Sequence, residues 1–174
     1  MQILKKLFSD AYVIKNKFQK DNRGKFIKFH QEIMIKNKKI KFDQFCYFLN
    51  KDKYTLRGVH YQKYPFGEKK LITCVEGEIF DVIIDLNKKS NTYLKHKFIN
   101  LNQNNMYSLY IGKDYAHGFL TLSRNATVLY QIEGPYKKSK QAGLLWSDPL
   151  LNIKWPKKPK IISNRDKKFK KINI

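Results

Sequence analysis

From Lys70 onward the chain is a succession of short runs in which apolar and polar residues alternate, broken by turn-forming clusters. Residues 71–75 (LITCV) and 78–86 (EIFDVIIDL) read as strands, with Glu76-Gly77 between them as a short hairpin signal. In the second run a period of two puts Phe80, Val82, Ile84 and Leu86 on one face, and Ile79, Asp81, Ile83 and Asp85 on the other. HKFINL, MYSLYI, HGFLTL and ATVLYQIE follow as further strands, spaced by Asn-, Gly- or Ser-containing turns. Upstream, KFIKFHQE, KKIKFDQFCYF and YTLRGVHYQ also read as strands. The best helical candidate, FDQFCYFLNKDKY, is equally compatible with a strand. So many short strands at close spacing predict an all-β sandwich or barrel, most simply a jelly-roll β-barrel with short peripheral helices. No repeat or linker divides the chain, which predicts a single domain over residues 1–174.

Composition narrows the picture. Apolar residues make up 42% of the chain and aromatics 14%, enough for a core and too many for a disordered segment. No apolar stretch is long enough to cross a membrane, residues 1–17 have no signal-peptide pattern, and Cys46 and Cys74 make no disulfide framework. These features predict a cytoplasmic protein with no membrane partner. The net charge is +22, but 32 of the 36 basic residues are Lys and only four are Arg. Nucleic-acid readers rely on Arg for bidentate contacts, whereas Lys, Asn and Ile together are what AT-rich codons supply. The aromatics also fall within strand cores, so no nucleic-acid partner is predicted. The Lys-rich stretch from about residue 157 reads as a solvated tail.

Three polar groups could carry chemistry. In Arg57-Gly58-Val59-His60-Tyr61-Gln62, a regular strand would point Arg57 away from His60, and Gly58 allows a bulge that lets them converge. The Pro65-Phe66-Gly67 turn folds the next strand back and can bring Lys70 to the same place. His117 lies in the second group, and Tyr130 shares an apolar, core-facing side with Val128 and Ile132. Metal chemistry is not indicated: no H-x-H or H-E-x-x-H occurs, there is no paired-Cys spacing, and Gln62 occupies the position two after His60. Dinucleotide, P-loop and nucleophile-elbow motifs are also missing.

Taken in order, these motifs resemble the dTDP-4-dehydrorhamnose 3,5-epimerase family, small jelly-roll, cupin-like enzymes that need no cofactor. The resemblance rests on D-N-R-G-K-F at 21–26, L-R-G-V-H-Y-Q at 56–62, and K-L-I-T-C-V-E-G-E-I-F-D-V-I-I-D-L at 70–86. It continues through A-H-G-F-L-T-L-S at 116–123, L-Y at 129–130, W-S-D-P at 146–149, I-K-W-P at 153–156 and S-N-R-D at 163–166. By position it implies His60 as base, Asp166 as the carboxylate that orients it, and Tyr130 as general acid. It implies that Lys70 steadies an enolate, and that Arg57, His117 and Tyr136 surround the sugar. Arg23, Phe26, Gln44 and Arg165 fall on ligand-binding positions. The chain departs from the family at Lys28, at Gln44-Phe45-Cys46, at Gln141 and at Gly112-Lys113-Asp114-Tyr115.

The implied substrate is a nucleotide-linked 4-keto-6-deoxyhexose, whose C4 carbonyl acidifies the protons on C3 and C5. Inversion then needs a base on one face of the ring and a proton donor on the other. The resemblance further implies a homodimer, with N-terminal strands exchanged or packed on the partner's sheet. Three alternatives remain open at this point: a single-centre 3-epimerase, an epimerase of another nucleotide sugar, and a non-catalytic nucleotide-sugar-binding barrel.

Overall fold

The computed structural model describes residues 1–173. In chain order the strands are β1 (Gln2–Phe8), β2 (Ala11–Lys15), β3 (Phe18–Asp21), β4 (Gly24–Ile27), β5 (Glu32–Ile35), β6 (Lys38–Lys41), β7 (Gln44–Asn50) and β8 (Thr55–Gln62). They continue as β9 (Lys69–Glu76), β10 (Glu78–Asp85), β11 (His96–Asn102), β12 (Tyr107–Ile111), β13 (Tyr115–Thr121), β14 (Ala126–Glu133), β15 (Gln141–Gly143) and β16 (Ile161–Ile162). The helical content is a 3₁₀ turn at Lys138–Lys140 and one α-helical turn, α1, at Asn164–Lys167.

Twelve of these strands build two sheets that face one another, and β3–β4 and β5–β6 are separate hairpins. One runs β1-β2-β12-β9-β14-β7, and the other β11-β10-β13-β8-β15 with β16 added in parallel to β8. Leu109, Ile111, Ile72, Cys74, Val128, Tyr130 and Ile132 from the first sheet meet Ile79, Ile83, Leu101, Tyr115 and Phe119 from the second. The predicted jelly-roll arrangement is thus present as a sandwich of two sheets. The outer faces are covered as well. The β5–β6 hairpin lays Ile33, Ile35, Ile40 and Phe42 against Tyr12, Ile14, Leu71 and Tyr110 on the first sheet. The C-terminal segment packs Leu144, Trp146, Leu151, Trp155 and Ile172 against Phe80, Val82, Ile84 and Leu120 on the second.

Several sequence expectations need correction. Glu76-Gly77 does not close a hairpin, because β9 and β10 lie in different sheets. Gly77 has φ +72° where the chain crosses from one sheet to the other, and a Cβ there would collide with Ser123 and Ala126. The run KKIKFDQFCYF is two strands, β6 and β7, and the ambiguous segment around it is strand. The stretch from residue 157 is no solvated tail. Its lysines are exposed, but Ile162 and Ile172 pack on the second sheet, and Asp166 is buried with 2% exposure.

Candidate active site

One cavity of about 740 Å³ opens between the sheets, within the range of small-molecule sites. β7 supplies Gln44, Cys46 and Phe48, and β8 supplies Arg57 and His60. Glu68 comes from just before β9 and Lys70 from its start, His117 from β13, Tyr130 and Ile132 from β14, and Tyr136 from the loop that follows. The C-terminal segment closes one side with Ser163, Arg165 and Asp166.

The convergence of Arg57 and His60 is the anticipated bulge. His117 pairs with His60 and Phe119 with Arg57, so three residues of β8 span two of β13. Gly58, at φ +120°, sits where a Cβ would lie 2.6 Å from Gly118 Cα and 2.9 Å from His117 O. Only glycine allows the strands to approach this closely. Arg57 donates from Nε to Asn50 Oδ1 at 2.6 Å, and its guanidinium lies over the Phe48 ring. Its terminal nitrogens have no hydrogen-bond partner among the described residues, which leaves them for an anionic or polar ligand group.

Two histidine–aspartate pairs meet in this region. His60 donates from Nε2 to Asp166 Oδ1 at 2.8 Å. The chain brings Asp166 there by pairing β16 with the start of β8 and then turning into α1, where the Ser163 hydroxyl caps the helical turn by accepting Asp166 N–H at 3.1 Å. Asp166 also accepts Gly58 N–H at 3.1 Å and Arg165 Nε–H at 3.2 Å. Burial alone would raise this carboxyl, but the His60, Gly58 and Arg165 donors outweigh it and hold the pKa at about 2. His60 lies below the usual imidazole range, because burial and the nearby Arg165 and Lys70 charges outweigh the pull of Asp166. Asp166 does pull upward, and desolvation wins. His60 is therefore neutral near pH 7, with Nδ1 unbonded, as a base must be.

The second pair is His117 with Asp81. His117 Nε2 lies 2.7 and 2.8 Å from the two Asp81 oxygens, and His117 Nδ1 lies 3.3 Å from Tyr130 Oη. Tyr130 tilts against Phe48, 4.7 Å between ring centroids. Burial, aided by the Asp81 charge, raises the phenol well above its ordinary value, against the opposing pull of Arg57. It stays protonated across the physiological range. Sequence reasoning missed Asp81, Glu68 and Asn50. A lone acid between Ile79 and Ile83 on one strand face was the available signal for Asp81.

His60 belongs to one sheet and Tyr130 to the other, and both line the same space. Lys70, on the Tyr130 side, is held by Glu68 at 3.2 Å and presents a cation to the cavity. Gln44, Tyr136 and Arg165 also line the cavity, with Gln44 Nε2 donating to Gly134 O at 2.7 Å. Arg23 and Phe26 do not. They sit on the β3–β4 hairpin, which pairs with neither sheet, where Arg23 binds only Asp21 among the described residues and Phe26 is 63% exposed. Among the described residues no group of three or more His, Cys, Asp or Glu side chains is placed to hold a metal ion.

A family model described as dTDP-4-dehydrorhamnose 3,5-epimerase matches residues 5–173. The chain belongs to this family. It is 36% identical over 169 residues to the dTDP-4-dehydrorhamnose 3,5-epimerase of Shigella flexneri, covering 95% of this chain and 93% of that one. The Bacillus anthracis epimerase, solved with TDP and PPi bound, superposes with a TM-score of 0.89 at 30% identity, over 98% and 99% of the two chains. A Legionella pneumophila epimerase of the family, in complex with dTDP-4-keto-L-rhamnose, gives a TM-score of 0.83 at 27% identity, over 95% and 89%. The W-S-D-P and I-K-W-P motifs lie outside the cavity. Trp146, Asp148 and Trp155 build the C-terminal cover, where Trp155 Nε1 donates to Trp146 O and Asp148 accepts Ile172 N–H.

Proposed function

We propose that this protein inverts C3 and C5 of dTDP-4-dehydro-6-deoxyglucose to give dTDP-4-dehydrorhamnose, in cytoplasmic deoxysugar biosynthesis for a surface polysaccharide. The observation that carries the reading is the placement of a neutral imidazole and a protonated phenol on facing sheets of one cavity. His60 removes the proton alpha to the C4 carbonyl. Electron density moves onto the carbonyl oxygen, where Lys70 opposes the charge. Tyr130 then protonates the same carbon from the other face. Asp166 fixes the imidazole with Nε2–H bonded and Nδ1 free. Arg57, Gln44, Tyr136 and Arg165 hold the sugar and its diphosphate. Proton NMR with the 4-keto nucleotide sugar in D₂O tests the assignment: both centres exchange and invert, whereas tight binding without exchange would leave a binding barrel.

The same reading includes a homodimer. Phe45, Tyr47 and Leu49 are 50%, 65% and 74% exposed on the outer face of β7, an edge strand that the β5–β6 hairpin leaves bare. Phe18 and Phe26 are exposed on the hairpin that carries Arg23. In the dimer these apolar faces are covered, and Arg23 and Phe26 reach the partner's cavity. Sedimentation equilibrium should give twice the chain mass for the native protein. Leu49→Asp shifts it toward monomer, and a native monomer would refute the arrangement.

A further inference from the structure

Asp81 is 0%, His117 4% and Tyr130 8% exposed, so the row of three groups is buried, with His117 and Tyr130 bordering the cavity and Asp81 behind them. The whole Asp81 carboxyl meets a single N–H donor, His117 Nε2, and among the described residues no Lys or Arg bonds to it. An ionised carboxylate facing only a neutral imidazole in such a place costs several kcal/mol. A proton shared by Asp81 and His117 removes that charge. Whether it rests on the carboxyl or on Nε2, the pair is neutral overall and His117 Nδ1 carries a hydrogen. Nδ1–H then donates to Tyr130 Oη, and the phenol's own hydrogen is free to point into the cavity. Without the shared proton, Nδ1 would accept the phenol hydrogen, and the pair would have no proton to return to a phenolate.

We propose that Asp81 and His117 hold one transferable proton behind Tyr130, and that it reloads the phenol between two successive inversions on one bound sugar. This rests on the two-centre epimerase reading above. In the first inversion the Tyr130 O–H bond breaks as a C–H bond forms on the enolate carbon, leaving a phenolate. The Nδ1–H bond then breaks and the phenol O–H reforms, while Nε2 keeps or takes the shared proton. The negative charge ends on Asp81, bonded by Nε2–H. His60, whose side chain is 24% exposed, sheds the first proton to solvent, and the reloaded phenol turns its hydrogen from Nδ1 to the second centre. The phenolate that remains faces Arg57 until water restores both protons on product release. Asp81 thus acts through His117 and touches no substrate.

Asp81→Asn tests this, because the amide can still donate to His117 Nε2 and keep Nδ1–H on Tyr130, yet has no proton to give. In single-turnover reactions followed by NMR, the variant should form singly inverted sugar and lower the ratio of doubly to singly inverted product about tenfold or more. An unchanged ratio overturns the proposal. A purely structural role for Asp81 would slow both inversions and leave the ratio alone. A second measurement needs no variant. Native enzyme equilibrated in D₂O is mixed with substrate in excess H₂O and quenched within one turnover. The doubly inverted product should carry deuterium at both centres, and protium at the second centre overturns the proposal. If native enzyme neither exchanges nor inverts either centre, the epimerase reading itself has failed.

Discussion

The two histidine–aspartate pairs share a composition and differ in everything that sets charge. Asp166 collects N–H bonds from His60, Gly58 and Arg165 and is ionised down to about pH 2. Asp81 collects one, in complete burial, and is pushed above its ordinary value by desolvation against the pull of His117. The His60 side chain is 24% exposed beside a guanidinium, so a proton it takes up can leave to solvent. His117 has 4% exposure and a phenol on its free side. In the proposed mechanism one pair accepts protons and sheds them, and the other retains one. Donor count and access to water separate the roles, and residue identity does not.

The comparison can be broken at several points. The largest effect belongs to His60→Ala, which should lower solvent exchange at C3 and C5 by about 10³-fold, within the range of a lost general base. Deuterium incorporation read by NMR decides it, and residual exchange near the native rate would move the base elsewhere. Next is Asp166→Asn. It should lower the exchange rate about 10²-fold and move the acid limb of the pH–rate profile to lower pH, because Asp166 is the group that raises the His60 pKa. A limb moving upward would contradict the pairing. The same substitution changes acid stability. The native Asp166 pKa lies below its ordinary 3.8, so its contribution is present above about pH 4 and is lost as pH falls toward 2. Melting followed across that window should show native protein losing stability that the variant does not lose. The smallest effect is Arg165→Ala. The Arg165 charge lowers the His60 pKa, so removing it should shift the acid limb slightly upward, opposite in sign to Asp166→Asn.

Much of this was legible in the chain. The alternation from residue 70 onward located β9 to β14, and Gly58 located the bulge that joins Arg57 to His60. The inward face of Tyr130 followed from Val128 and Ile132. Other features were hidden for physical reasons. The exposed, Lys-bearing edge strand β1 gives no clean alternation, and β2 is buried on both faces, so the first sheet's beginning carried no period-two signal. In β10 both faces are covered, Ile79 and Ile83 by the opposite sheet and Phe80 and Val82 by the C-terminal segment. Alternation there could separate Asp81 from Phe80 but could not say which of them faces the cavity. Asp166 stands 106 residues from His60, and only the parallel pairing of β16 with β8 unites them. Its place came from a family motif, since no local pattern could supply it. Lysines along residues 157–171 hid a segment whose apolar residues cap a sheet.

The central claim is that proton removal and proton delivery come from opposite walls of the cavity. Tyr130→Phe, followed by proton NMR in D₂O with the 4-keto nucleotide sugar, tests this most directly. The account predicts that deuterium continues to enter the sugar with its configuration retained, because His60 both takes the proton and returns a solvent-exchanged one, while inverted product is lost. Exchange and inversion disappearing together, or inversion surviving at the native rate, would contradict it.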